Sequence, residues 1–130
     1  MANIRLPPLP SIRDILAIHN IWAQKKLSQN FLLQPRCIEE IIKSAGDLKN
    51  AHVLEVGPGP GSITRYILKQ APKHLAVVEL DRRFLSILEN LKQDVEPYNI
   101  KMSIYRQVRS YIFFSNFKLF FINIMLLIID

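Results

Sequence analysis

The residues with the most chemical potential in this chain are Glu55-Val56-Gly57-Pro58-Gly59-Pro60-Gly61 and an acid about 20 residues beyond the first glycine, Glu79. Glycines at alternate positions let the backbone turn tightly and let a ligand lie against it. A carboxylate at Glu79's place can accept both hydroxyls of a ribose, so the pair suggests a nucleoside cofactor. The prolines sharpen that reading. Pro58 and Pro60 carry no N–H and cannot donate to a pyrophosphate. S-adenosyl-L-methionine has no phosphate, and its ammonium and sulfonium charges suit nearby acids such as Glu55 and Glu79. The residues therefore favour that cofactor over a dinucleotide, while a turn holding no ligand stays open. On that plainer reading Glu79 is an acid favoured by a helix dipole.

The flanking periodicities set these residues in a strand–turn–helix frame. His52 to Val56 is a short apolar run bounded by glycine, which predicts a buried strand. Ser62 to Gln70 predicts a helix with Ile63, Tyr66 and Ile67 inward. Leu75 to Val78 predicts a second strand that ends at Glu79. Asp81 can cap a third helix reaching about Gln93, with Phe84, Leu85, Leu88 and Leu91 on its core face. Ile100, Met102 and Ile104 alternate with polar neighbours and predict a third strand. Upstream, Pro35 opens and Gly46 closes a helix whose buried face is Ile38, Ile41, Ile42 and Ala45. Before it, Ser11 to Asp14 has capping-box spacing and predicts an N-terminal helix. Strands alternating with helices at these lengths mean a parallel sheet with right-handed crossovers, an α/β fold.

Composition limits the remaining possibilities. At 130 residues the chain has the length of one domain, and 49% apolar with 22% charged residues excludes wholesale disorder. Seventeen Lys+Arg against eleven Asp+Glu give a net charge of +6, which favours polyanionic partners. Cys37 is the single cysteine and cannot form an internal disulfide. His19, His52 and His74 show no ligand spacing, so no metal site is expected. Arg5 and Arg13 precede the first acid, Asp14, as in a mitochondrial presequence, although a plain N-terminal helix fits equally well.

Two further stretches, Lys26-Leu-Ser-Gln29-Asn30-Phe-Leu32-Leu33 and Leu6-Pro-Pro-Leu-Pro-Ser-Ile-Arg13, complete a pattern with the glycine run and Val77-Val-Glu79. Over residues 5–106 the chain resembles the ribosomal RNA adenine dimethyltransferase family, and in particular its mitochondrial branch. The resemblance implies the first half of a Rossmann-like class I methyltransferase fold, a βαβαβ parallel sheet preceded by N-terminal helices. It implies S-adenosyl-L-methionine as cofactor and a site of Gln29, Asn30, Leu32, Glu55, Gly57, Gly59, Glu79 and Leu80. In that set Gln29, Asn30 and Leu32 line the pocket from the N-terminal side. Gly57 and Gly59 pass under the methionine part, Glu79 holds the ribose, and Leu80 flanks the adenine. The implied activity is N6,N6-dimethylation of two adjacent adenines in a small-subunit rRNA hairpin, in the mitochondrial matrix, by a monomer. Lys25, Lys26 and Arg36 flank the Gln-Asn-Phe-Leu loop and are candidate RNA contacts, unless they simply form a solvated basic face.

The resemblance stops after residue 106. The family's Asn-Leu-Pro-Phe-type motif, which receives the target amine, does not occur in these 130 residues, nor does its Gly-Asp after the third strand. Residues 107–130 instead hold five of the seven Phe and only Arg109, Lys118 and Asp130 as charges. The expected organisation is an N-terminal extension and helix (1–27), a partial cofactor domain (28–106), and an apolar tail (107–130) outside the family fold. Val108-Arg-Ser110 can be encoded as a splice donor, so the tail is read as translated intron. On that reading no residue is assigned a catalytic role, the chain is inactive as it stands, and the first strand keeps an uncovered edge unless the tail folds over it. A membrane anchor is not expected, because the apolar stretch from Leu119 to Ile129 is short of the roughly 20 residues needed to span. A different class stays in view: a non-catalytic RNA- or transcription-associated factor with a vestigial cofactor fold.

Overall fold

A computed structural model describes residues 3–6, 14, 17 and 35–106, and as strand backbone 118–122 and 124–129. The elements are α1 (Pro35–Ser44), β1 (His52–Val56), α2 (Ser62–Lys69), β2 (His74–Val78), α3 (Leu85–Val95), β3 (Lys101–Tyr105), β4 (Lys118–Ile122) and β5 (Ile124–Ile129). They form one sheet in the order β3-β2-β1-β5-β4. β1, β2 and β3 run parallel, with His52 opposite His74 and His74 opposite Lys101. This is the βαβαβ half of a Rossmann-like sheet that the strand and helix periods predict.

The register explains the core. Val53, Leu75 and Met102 share a row, as do Glu55, Val77 and Ile104, so both rows face the same side. On that side Val53, Leu75, Val77 and Met102 join Ile38 and Ile42 of α1, Ile63 and Ile67 of α2, and Leu88, Leu91 and Val95 of α3 in one buried cluster. Leu54 and Val78 point the other way and form a small separate cluster with Val56 and Ala76. Ile4 is also buried in the larger cluster, and the segment it lies on is tied down where Arg5 N–H donates to the Tyr98 hydroxyl at 3.1 Å.

The helix faces differ in detail from their sequence reading. Ile38 and Ile42 are buried on α1, whereas Ile41 and Ala45 are packed at its margin. On α3 the buried set is Ile87, Leu88, Leu91 and Val95, while Leu85 is only half-buried. Counted from Phe84, which is itself buried, this set falls at i+3, i+4, i+7 and i+11, so the helical period runs on through the 3-10 turn at Arg82–Phe84, which Asp81 starts by accepting Arg83 N–H on Oδ1 at 3.0 Å.

The tail takes the role of an extra strand. β5 runs antiparallel to β1, pairing Ile129 with His52 and Met125 with Val56, and β4 folds back antiparallel on β5. The edge of β1 opposite β2 is therefore covered by hydrogen-bonded backbone. The N-terminal helix beyond Asp14 and Ala17, the Gln29-Asn30-Phe31-Leu32 loop, and Lys25 and Lys26 lie outside the described residues. Among the described residues no helix is long and apolar enough to cross a membrane.

Leu91 is fully buried, and its Cδ1 lies only 2.9 Å from the position a Cβ on Gly61 would take. It therefore supports the glycine turn from below as well as filling the core. Leu91→Ala should cost about 2–5 kcal/mol, the range for emptying a buried leucine site. Urea unfolding followed by circular dichroism measures it.

Candidate functional site

The C-terminal ends of β1 and β2 converge on the glycine turn, and backbone bonds fix its shape. Gly57 N–H donates to Val78 O at 2.8 Å, tying the start of the turn to β2. Gly61 N–H donates to Pro58 O at 3.0 Å and closes the turn. Gly57, Gly59 and Gly61 all have positive φ, at 73°, 56° and 90°, a region costly for residues with a Cβ. Gly61 then starts α2, its carbonyl accepting Arg65 N–H at 3.0 Å.

Glu79 is built into this turn rather than standing free beside it. Its Oε2 accepts Gly59 N–H at 2.8 Å and its Oε1 accepts Asp81 N–H at 2.8 Å. The residue is only 7% exposed, and its own N–H donates to Tyr105 O at 2.9 Å, in continuation of the β2–β3 ladder. An ionised carboxylate has about four lone-pair sites, so each oxygen keeps one beyond its backbone donor. Next to it, Leu80 is 68% exposed. Asp81 is held by Arg83, whose Nε donates to Oδ1 at 2.9 Å.

All three glycine N–H groups of the turn are thus committed, to Val78 O, Glu79 Oε2 and Pro58 O. Pro58 and Pro60 have none to offer. A phosphate would find no free backbone donor among residues 57–61, in contrast to turns that cradle phosphates. What the turn offers is a close approach to backbone and an acid at its side.

Glu55 lies on the helix-covered side of β1 and is fully buried beneath the turn. Thr64, in the first turn of α2, donates its hydroxyl to Oε2 at 2.7 Å. Among the described residues Oε1 has no hydrogen-bond partner. Burial, which disfavours the charged form, pushes the carboxyl up to about 7; the Thr64 bond opposes this and the Glu79 charge adds to it.

The site residues expected from sequence thus divide. Glu55, Gly57, Gly59, Glu79 and Leu80 fall at one end of the sheet, within and around a single turn. Gln29, Asn30 and Leu32 lie outside the described residues. Thr64 was not expected. Its signal was available, since a buried acid needs a donor and Thr64 opens the helix that follows the turn. At the other end of the strands His52 and His74 meet edge-to-face at 5.9 Å, and His74 Nε2 lies 2.9 Å from Ser103 Oγ. Among the described residues no cluster of three or more His, Cys, Asp or Glu is placed to hold a metal.

The sequence profile of the ribosomal RNA adenine dimethylase family matches residues 20–116. The chain belongs to that family. It is 47% identical over 105 residues to a dimethyladenosine transferase 1, mitochondrial, of Drosophila pseudoobscura pseudoobscura, covering 80% of this chain and 31% of that protein. The protein of the same name in Vermamoeba vermiformis is 52% identical over 90 residues, 69% of this chain and 26% of its own length. The Homo sapiens protein is 48% identical over 102 residues, 78% of this chain and 29% of its own length. This family member therefore spans less than a third of the relatives it matches. The profile match stops at residue 116, and β4 starts at Lys118.

A buried acid raised from 4.5 to about 7 makes folding depend on pH in one direction. Its neutral form favours the folded state, an advantage present below the unfolded value and lost as pH rises through 7. The loss between those limits is about 3 kcal/mol, at 1.36 kcal/mol per pKa unit. Glu55→Gln should abolish this dependence and be the more stable protein at pH 8. Urea unfolding of both proteins at pH 5 and pH 8 checks the difference of differences.

Proposed function

We propose that residues 28–106 are the S-adenosyl-L-methionine-binding half of an rRNA adenine-N6,N6-dimethyltransferase of the small mitochondrial ribosomal subunit, working in the matrix as a monomer. One observation carries the cofactor choice: every glycine N–H of the turn is already bonded, and an acid that retains acceptor capacity lies against it. That arrangement suits a phosphate-free nucleoside whose other end is cationic. The family membership and the names of the relatives supply the reaction class.

In this reading each residue has a physical task. Gly57 and Gly59 allow the methionine part to lie against backbone. Glu79 accepts the ribose hydroxyls with its remaining lone pairs while its backbone bonds keep it from swinging away. Leu80 offers an apolar surface to the adenine. Gln29, Asn30 and Leu32 close the site from the N-terminal side, and Lys25, Lys26 and Arg36 meet RNA phosphates. When bound, the cofactor supplies a methyl group on a positively charged sulfur. An adenine amine conjugated to its ring is a poor nucleophile, so catalysis of its attack is chiefly positioning, which can supply about 7–11 kcal/mol. The base must also leave its stack to reach the sulfur.

A second reading has its own support. No Asn-Leu-Pro-Phe run occurs in the 130 residues, so nothing here is assigned to receive the target amine. On that ground the chain alone binds the cofactor without transferring its methyl group, as a non-catalytic RNA-associated factor would. The family match runs on to residue 116, and in both readings the rest of the apolar tail stands outside the family fold.

Glu79→Ala removes charged hydrogen bonds worth about 1.5–3 kcal/mol, so affinity for S-adenosyl-L-methionine should fall about 10- to 150-fold. Titration calorimetry with the cofactor, and with NAD as a control, decides this. Unchanged cofactor affinity, or comparable binding of NAD, sinks the assignment.

A tritiated-methyl transfer assay on a small-subunit rRNA fragment separates the two readings. The purified chain should give no dimethyladenine above the enzyme-free background. Clear product would place the amine-receiving function within residues assigned here to other roles.

A further inference from the structure

Two carboxylates flank the glycine turn, and they are provided for very differently. Glu79 is almost fully buried and has a backbone donor on each oxygen. Glu55 is sealed between β1 and α2, with one donor on Oε2 and, among the described residues, none on Oε1. A buried carboxylate left half-bonded is costly in its charged form and tolerable as a neutral acid.

Among the described residues the groups around Glu55 do nothing to neutralise it. In the sheet it is paired with Val77 on β2 and with Leu126 on β5, both apolar types. On α2 its partner is the uncharged hydroxyl of Thr64. The adjacent Arg65 interacts with Asp94 of α3, and Arg83 is paired with Asp81. Burial is the largest influence on the Glu55 carboxyl, and the like charge of Glu79 adds to it. The end of the sheet thus carries two buried acids, and its complement is a cation arriving from outside.

We propose that Glu55 is a proton-exchanging positioning residue: neutral while the turn holds no cation, it releases its proton when a cationic ligand settles there. The proposal rests on the reading of this turn as an S-adenosyl-L-methionine site. The proton passes from the Glu55 carboxyl to solvent, and the carboxylate that remains faces the ligand's positive charge through the low-dielectric interior. Thr64 keeps its bond to Oε2 in the charged form, so the ionised acid is held in one orientation and the turn above it stays fixed. Cofactor binding and Glu55 ionisation are then reciprocally linked.

The linkage has a measurable size. With a carboxyl near 7, about half a proton should be released per cofactor bound at pH 7. Affinity should rise about tenfold between pH 6 and pH 8, since the neutral acid must first be ionised at the lower pH. Titration calorimetry of the 130-residue chain with S-adenosyl-L-methionine, repeated in buffers of different ionisation enthalpy, gives both quantities. Glu55→Gln should remove the proton release and flatten the affinity profile. The difference between the two proteins cancels titration of the ligand's own amine.

Thr64→Val supplies an independent arm should the Gln variant fail to fold. Losing the donor to the ionised form should move the affinity profile to higher pH. Cofactor binding with identical proton release in native and Glu55→Gln proteins overturns the proposal but leaves the cofactor site standing. A profile unmoved by Thr64→Val overturns it likewise. Absence of cofactor binding to the native chain at pH 8 overturns the site reading and the proposal with it.

Discussion

The carboxylate of Glu79 is the fixed point of this end of the molecule. It joins the glycine turn after β1 to the backbone after β2 through two N–H bonds, one from Gly59 and one from Asp81. Charge-assisted bonds of this kind are about twice as strong as neutral ones. The turn, the strand ends and the start of the 3-10 turn before α3 are held relative to one another by that one group. Because Pro58 and Pro60 cannot donate, Gly59 is the position from which the turn reaches the acid. The glycine-proline alternation is thus a device for directing few donors, each to one acceptor.

Beneath it lies a second acid with the opposite character. Both are buried, but Glu79 has a donor on each oxygen and Glu55, among the described residues, on only one. Environments that drive two similar groups apart commonly give them different tasks. Here the upper acid is organised to accept hydrogen bonds in a fixed geometry, and the lower acid is organised to change its charge. Thr64 connects the lower acid to α2, and Leu91 of α3 supports Gly61 from the core. α2 and α3 therefore act on the turn from the same side of the sheet.

Most of this frame was legible in the sequence, for identifiable reasons. β1 was read over His52 to Val56 and is found there, because glycine after it and a short apolar run before it leave little choice. α1 begins at Pro35 as expected, since proline suits a first helical turn. The face of α3 was less fully legible: Phe84, Leu88 and Leu91 are buried as expected, Leu85 is half-buried, and Ile87 and Val95, at helical spacing from Phe84, were not singled out. Glu55 was read only as an acid near a cationic ligand. Its burial depends on which side of β1 receives α2, which is a tertiary matter. The same holds for His52 and His74, which only the parallel register brings together. The tail was read as an apolar stretch outside the family fold that could cover the open edge of β1, but its secondary structure was not assigned, because its apolar run has neither a period of two nor one of 3.6.

That last property bears on how firmly the new strand is seated. β5 reads Ile-Met-Leu-Leu-Ile-Ile, with every position apolar. In an alternating strand, sliding by one residue turns polar groups into the core and is forbidden; in this one it exchanges one large apolar side chain for another. The observed pairing of Val53 with Ile128 and Glu55 with Leu126 is then one of several alignments with similar side-chain chemistry. Selection among them falls to backbone geometry and to the connection with β4. β1 thus stands between a neighbour whose alignment is pinned by the glycine turn and one whose alignment is nearly degenerate. The left half of the sheet is defined by recognition, the right half by mere adhesion.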